Sequence, residues 1–172
     1  MENRPRAGEG RVGAAELVLV LDFGSQYSQL IARRVREAGV YCELLDGATA
    51  WPAIEARSPK AIILSGGPSS VYAAGAPQVD PGVLGAGIPV LGICYGMQLL
   101  AHQLGGRVEG AGKREYGPAQ IRVEDGSPLF KDLPVELPVW MSHGDTVLQA
   151  PAGFTAIARS ENSAIAAMTD GI

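Results

Sequence analysis

The stretch Gly92-Ile93-Cys94-Tyr95-Gly96 holds the residues best arranged to do chemistry. The apolar run "IPVLGI" leads into it, and "YGMQLLAHQLGG" leads out with helical spacing until Gly105 and Gly106 stop it. Glycines two residues either side of a cysteine let the chain turn sharply between strand and helix, so that the side chain stands exposed as a nucleophile does on its elbow. The helix that follows points free N–H groups and its positive dipole end at the sulfur, which favours the thiolate. The N–H of Tyr95 is then free to bind an oxyanion developing on a carbonyl under attack. The pattern is short, and a small core cysteine beside a tight turn would look the same.

A second motif bears on that choice. "LSGGPSS" (Leu64–Ser70) ends the strand-like run "AIILSGG". Ligands of open α/β sheets bind at the carboxyl ends of strands, so this loop and Cys94 could share one crevice. Gly66 and Gly67 expose backbone N–H groups and Pro68 stiffens the exit, which would supply a second oxyanion donor. Two other readings stay open. One is a plain turn. The other is a phosphate loop of the S-G-G-x-D-S kind, against which Ser69 stands at the Asp place and Pro68 just before it. A third element, "WMSHGD" (Trp140–Asp145), reads as a strand ending in a polar loop that could hold the charged ends of an amino acid. Alone it is weak, because His143 could equally be a turn residue.

The elements that must position these residues alternate. "LVLVLD", "VYCELL", "AIILSGG" and "IPVLGI" are apolar runs of strand length, as expected for parallel strands covered on both faces. Between them, "SQYSQLIARRVREAG" has Tyr27, Leu30, Ile31, Val35 and Ala38 at helical spacing, Ser25 to cap it and Gly39 to end it. "WPAIEARS" predicts a short helix and "VDPGVLGAG" a weaker one. The expected fold is α/β, an open, mostly parallel twisted sheet flanked by helices. Past Gly106 the runs "AQIRVE", "PVWMS", "FTAIAR" and "SAIAAMT" predict antiparallel strands in the last third. Asp170-Gly171 is a hairpin turn signal, after which a returning strand is expected.

Composition narrows the function classes. The chain has 172 residues, 47% apolar and 19% charged, which suits one globular domain. The net charge of −4 and the lack of a basic stripe speak against nucleic acid as a partner. "ARRVRE" reads as the solvated face of a helix. No apolar run reaches the ~18 residues of a membrane span. Cys42 and Cys94 form no disulfide framework, which fits a reducing, cytoplasmic compartment. Cys42, inside a strand, is expected as a small buried residue. Residues 1–15 are expected to be a disordered leader and residues 16–172 the domain.

Together these motifs resemble class I glutamine amidotransferase domains. "GICYGMQLLAHQLGG" is similar to the family's nucleophile segment and "LSGGPSS" to its oxyanion loop. Within the family, the opening Asp22-Phe23-Gly24-Ser25-Gln26-Tyr27, with "REYGPAQIRV" and "VWMSHGD", resembles the amidotransferase domains of GMP synthases; the likeness runs from about Leu17 to Met168. It implies a flavodoxin-like arrangement and hydrolysis of L-glutamine, with Cys94 as nucleophile and the N–H groups of Gly67 and Tyr95 on the oxyanion. Gln98 matches a position that contacts the glutamine. Ser142 and Asp145 match positions that hold its α-amino and carboxylate groups, with His143 and Gly144 in the same substrate loop. The ammonia would pass to an ATP pyrophosphatase (synthetase) domain, fused downstream or a separate chain, that aminates xanthosine monophosphate. ATP and Mg²⁺ would belong there, with no cofactor or metal in this domain, and the full enzyme would be a homodimer. Another class I amidotransferase, or a degenerate non-catalytic partner domain, are the rival readings.

The likeness also exposes a gap. The family completes its triad with a His and a Glu from a late His-Pro-Glu segment, and this sequence has only His102 and His143. His102 lies eight residues past Cys94, roughly 12 Å along a helix, whereas a base must come within ~3 Å of the proton it takes. His143 belongs to the substrate loop by resemblance. The base is therefore expected beyond Ile172, the domain lacking its last strand and helix and being impaired as these 172 residues alone.

Overall fold

The computed structural model describes residues 16–124 and 127–171, with backbone alone for residues 111–116 and 143. The expected leader, 1–15, lies outside the described residues. Four strands, β1 (Leu17–Asp22), β2 (Tyr41–Asp46), β3 (Ala61–Leu64) and β4 (Val90–Gly92), form a parallel sheet in the order β2-β1-β3-β4. Each follows the apolar run that predicted it. Helices α1 (Ser28–Glu37), α2 (Trp51–Glu55), α3 (Pro81–Gly85) and α4 (Tyr95–Gln103) connect or follow them. The α/β expectation holds.

Side chains alternate across β1 and so feed two cores. Leu19 and Leu21 join Ile54, Ile62, Leu64, Val79, Val83, Tyr95 and Leu99 on one face. Val20 joins Ala32 and Cys42 under α1 on the other. Cys42 is buried, as expected for a small apolar residue. The predicted apolar face of α1 needs correction. Ser28 and Ala32 are its buried residues, with Ile31 and Val35 packed beside them, while Tyr27 and Leu30 are exposed. Small residues let the helix lie close to the sheet, which turns the larger ones outward. Ser25 is not the cap either. Its hydroxyl accepts the N–H of Tyr27 before the helix begins, and Tyr27 itself takes the N-cap position. Arg33 and Arg34 pair with Glu37 at 2.8 Å on the solvated face, as the charge pattern predicted.

The last third forms a second, antiparallel sheet, β6-β5-β7-β8, from β5 (Arg107–Val123), β6 (Glu136–Gln149), β7 (Thr155–Ser160) and β8 (Ala167–Thr169). β5 and β6 run far longer than the sequence predicted. Ser142–Asp145, expected on a loop at a strand end, lies inside β6 and pairs with β5. The pairing is irregular there. From Gly110↔Asp145 to Glu115↔His143, β5 advances five residues while β6 advances two. Such a bulge bends a strand and re-aims its side chains. At the far end, Gly171 adopts φ +87°.

Leu19→Ala, in the closed core, is expected to cost about 2–5 kcal/mol. Leu30→Ala, on the exposed side of α1, is expected to change stability by less than about 0.5 kcal/mol. Urea unfolding of both variants checks the corrected helix face.

Candidate active site

Backbone packing builds the elbow. A Cβ on Gly92 would lie 2.6 Å from the Gly96 carbonyl carbon, and one on Gly96 would lie 2.4 Å from the Leu64 oxygen. Only glycine permits either approach. Gly96 N–H donates to Ser65 O at 3.1 Å and to Ile93 O at 2.9 Å, while Ile93 N–H donates to Leu64 O at 2.9 Å. The start of α4 is thus fastened to the exit of β3. Between the two glycines Cys94 is forced to φ 50°, ψ −111°, a conformation that costs a residue with a Cβ about 1–3 kcal/mol. Its carbonyl accepts the Gln98 N–H at 3.0 Å and opens the helix. Tyr95, at the first helical position, has no carbonyl four residues back within the helix to receive its N–H.

The β3 exit and the cysteine lie side by side. A Cβ built on Gly66 would meet Cys94 Cβ at 3.6 Å, with Gly67 the next residue along. From the other side β6 closes in, and the backbone of Ser142 comes near enough to the Cys94 thiol to favour its charged form. The Ser142 side chain is exposed, so it meets the sulfur with its backbone. Gln98 is buried, and its amide donates to Asp145 O at 2.8 Å, tying α4 to β6. Asp145 Oδ2 is buried without a hydrogen-bond partner among the described residues. Burial first, and the Asp145 charge second, push the Tyr95 hydroxyl up from its ordinary value. Gly144 lies between Ser142 and Asp145 in β6; the His143 side chain lies outside the described residues. His102 stacks edge-on against Tyr72 with ring centroids 5.0 Å apart, at the end of α4 away from the elbow.

Burial pushes the Cys94 thiol up, and the Ser142 backbone opposes it only in part. A helix terminus contributes about 0.3–1 kcal/mol in ordinary settings, in the direction opposite to burial. A groove of about 400 Å³ on the antiparallel sheet, lined by Gln120, Arg122, Glu136 and Arg159 among others, contains none of these residues.

The family profile of class-I glutamine amidotransferases matches residues 19–171. The chain belongs to the class-I glutamine amidotransferase family. Among curated relatives of this amidotransferase chain, the GMP synthase [glutamine-hydrolyzing] of Thermomicrobium roseum is 60% identical over 151 residues, covering 88% of this chain and 29% of that protein. That of a Parafrankia species is 51% identical over 173 residues, 99% of this chain and 32% of that protein. The chain thus spans about 30% of the length of the curated relatives it matches. A protein from Thermoplasma acidophilum, described as one subunit of a GMP synthase, superposes with TM-score 0.74 at 28% identity, over 91% of this chain and 78% of that one. A glutamine amidotransferase from Thermotoga maritima shares the fold at TM-score 0.75 and 24% identity, over 92% and 73%.

Gly96→Ala is expected to lower stability by about 1–3 kcal/mol, because its methyl group meets backbone that cannot yield; urea unfolding measures it. The rate of Cys94 alkylation by iodoacetamide is expected to keep climbing past pH 9.0, the ordinary thiol value, with no plateau near neutrality. Cys42 is also shifted up by burial. Both raised thiols contribute stability that is full below the unfolded thiol value and lost as pH rises through the folded ones.

Proposed function

We propose that this chain is the glutamine-hydrolysing part of a GMP synthase. The elbow carries the chemistry: Cys94, held at positive φ, faces the Gly66-Gly67 turn across one crevice. The names of the relatives support the acceptor, and their greater length supports a synthetase part, fused downstream as in those relatives or supplied as a separate chain.

In this mechanism Cys94 Sγ gives its proton to a base and attacks the side-chain amide carbon of L-glutamine. The N–H groups of Gly67 and Tyr95 receive the oxyanion, each such donor being worth ~3 kcal/mol. The C–N bond breaks, ammonia leaves with the added proton, and water hydrolyses the γ-glutamyl thioester to glutamate. The orphaned Oδ2 of Asp145 suits the α-ammonium of glutamine, since a buried carboxylate without a partner gains most from a cation. Gln98 acts through Asp145, whose backbone it holds, and Ser142, His143 and Gly144 complete the substrate strand. This half-reaction uses no cofactor or metal of its own. ATP and Mg²⁺ serve the synthetase domain, where the ammonia aminates xanthosine monophosphate, and the full enzyme is a homodimer.

The 172 residues alone are expected to release little or no glutamate, because His102 packs on Tyr72 in the last turn of α4 while Cys94 precedes its first. Glutamate release that Cys94→Ala abolishes would overturn this. Asp145→Asn is expected to raise the glutamine concentration that half-protects Cys94 from alkylation by about tenfold or more, as loss of a charged hydrogen bond does. An unchanged midpoint would remove Asp145 from the ammonium site. Amination of xanthosine monophosphate when a synthetase domain is added, rather than of another acceptor, tests the pathway.

A further inference from the structure

Both oxyanion donors lean on one residue outside the crevice, Phe23. It follows β1 and is 3% exposed. Its N–H donates to Ser65 Oγ at 3.0 Å, and that hydroxyl donates in turn to Gly66 O at 2.8 Å. Its carbonyl oxygen presses on Gly67, where a Cβ would lie only 2.6 Å away. Its ring lies 5.6 Å from the Tyr95 ring, tilted 49°. On the opposite side the ring meets Gly47, where a Cβ would stand 2.6 Å from the ring carbon Cδ1. The loop that carries Phe23 cannot drift. Asp22 Oδ1 accepts the Gly24 N–H at 2.9 Å and the Ser28 hydroxyl at 2.6 Å, and Asp22 O accepts the Gly47 N–H at 2.9 Å.

The two N–H groups come from different elements, the β3 exit and the start of α4. An oxyanion is stabilised only when its donors sit about 2.7–3.1 Å from where the charge appears, so the spacing between the two elements must be fixed. Phe23 touches both, through its backbone on one side and its ring on the other. We propose that Phe23 is a positioning residue that sets the gap between the Gly67 and Tyr95 N–H groups. This rests on the glutaminase reading above. Phe23 contacts no substrate, and its effect falls on the transition state rather than on glutamine binding.

The test compares two reagents at Cys94. With a chloromethyl-ketone analogue of L-glutamine, sulfur adds to the carbonyl and forms a transient oxyanion. Sulfur then shifts from the carbonyl carbon to the methylene: the first C–S bond breaks and the carbonyl re-forms as the new C–S bond displaces chloride, and the thiol proton goes to buffer. Iodoacetamide loses iodide by direct displacement and makes no oxyanion. Phe23→Leu is expected to slow the ketone about tenfold while iodoacetamide changes by less than about twofold. Ser65→Ala, which removes the tie without opening a cavity, is expected to act in the same direction more weakly. Thermal melting of both variants reports folding. If both reagents slow together, or neither does, Phe23 does not set the gap. A wild-type chain with no glutamine-protected preference for the ketone overturns the glutaminase reading and this inference with it. A wild-type preference that Phe23→Leu leaves intact overturns the inference alone.

Discussion

The Cα of Gly96 lies so near the carbonyl of Leu64 that any side chain there would stand 2.4 Å from the oxygen. This approach of backbone to backbone governs the site. It sets α4 directly on the end of β3 and lets Gly96 N–H reach Ser65 O. It leaves Cys94 only a left-handed conformation and turns it toward the Gly66-Gly67 turn. Tyr95 and Gln98 take their places on the first turns of the same helix. Were α4 to start even an ångström farther out, the thiol and the loop would no longer lie side by side, since the distances that matter in acyl transfer are near 3 Å.

Charge in the crevice is unbalanced in an informative way. The thiol is half-buried and pushed toward its neutral form, while Asp145 keeps one oxygen buried without a partner among the described residues. Burial and the backbone of Ser142 act on the thiol in opposite directions, and a carboxylate oxygen buried in this way gains most from a cation.

Much of this arrangement is legible in the sequence where local rules decide. Continuous apolar runs mark β1 to β4, because parallel strands are covered on both faces. The glycines around Cys94 and the Gly66-Gly67 pair mark the close approaches. What escapes is set by tertiary context. Ser142–Asp145 looks like a loop because its polar residues are local, whereas its strand character comes from a distant partner and a bulge that no short window contains. The exposed Tyr27 and Leu30 break the helical pattern because Ala32 lets α1 approach the sheet. The direction of the Cys94 shift depends on burial by β6. Phe23 stands out in the sequence only as part of a motif, since its neighbours Ser65, Gly67 and Tyr95 are remote along the chain.

The tie between Gln98 and Asp145 has a temporal consequence. On a ribosome, α4 can form long before β6 exists, and until then the elbow has only β3 to hold its strained cysteine. Both the Ser142 backbone beside the thiol and the Asp145 carbonyl on Gln98 come from residues made much later. Contacts so far apart in sequence form late, because loop closure must come first. The nascent chain therefore carries Cys94 without these contacts until Ser142 and Asp145 have been made, and the surroundings of the cysteine mature together with the antiparallel sheet.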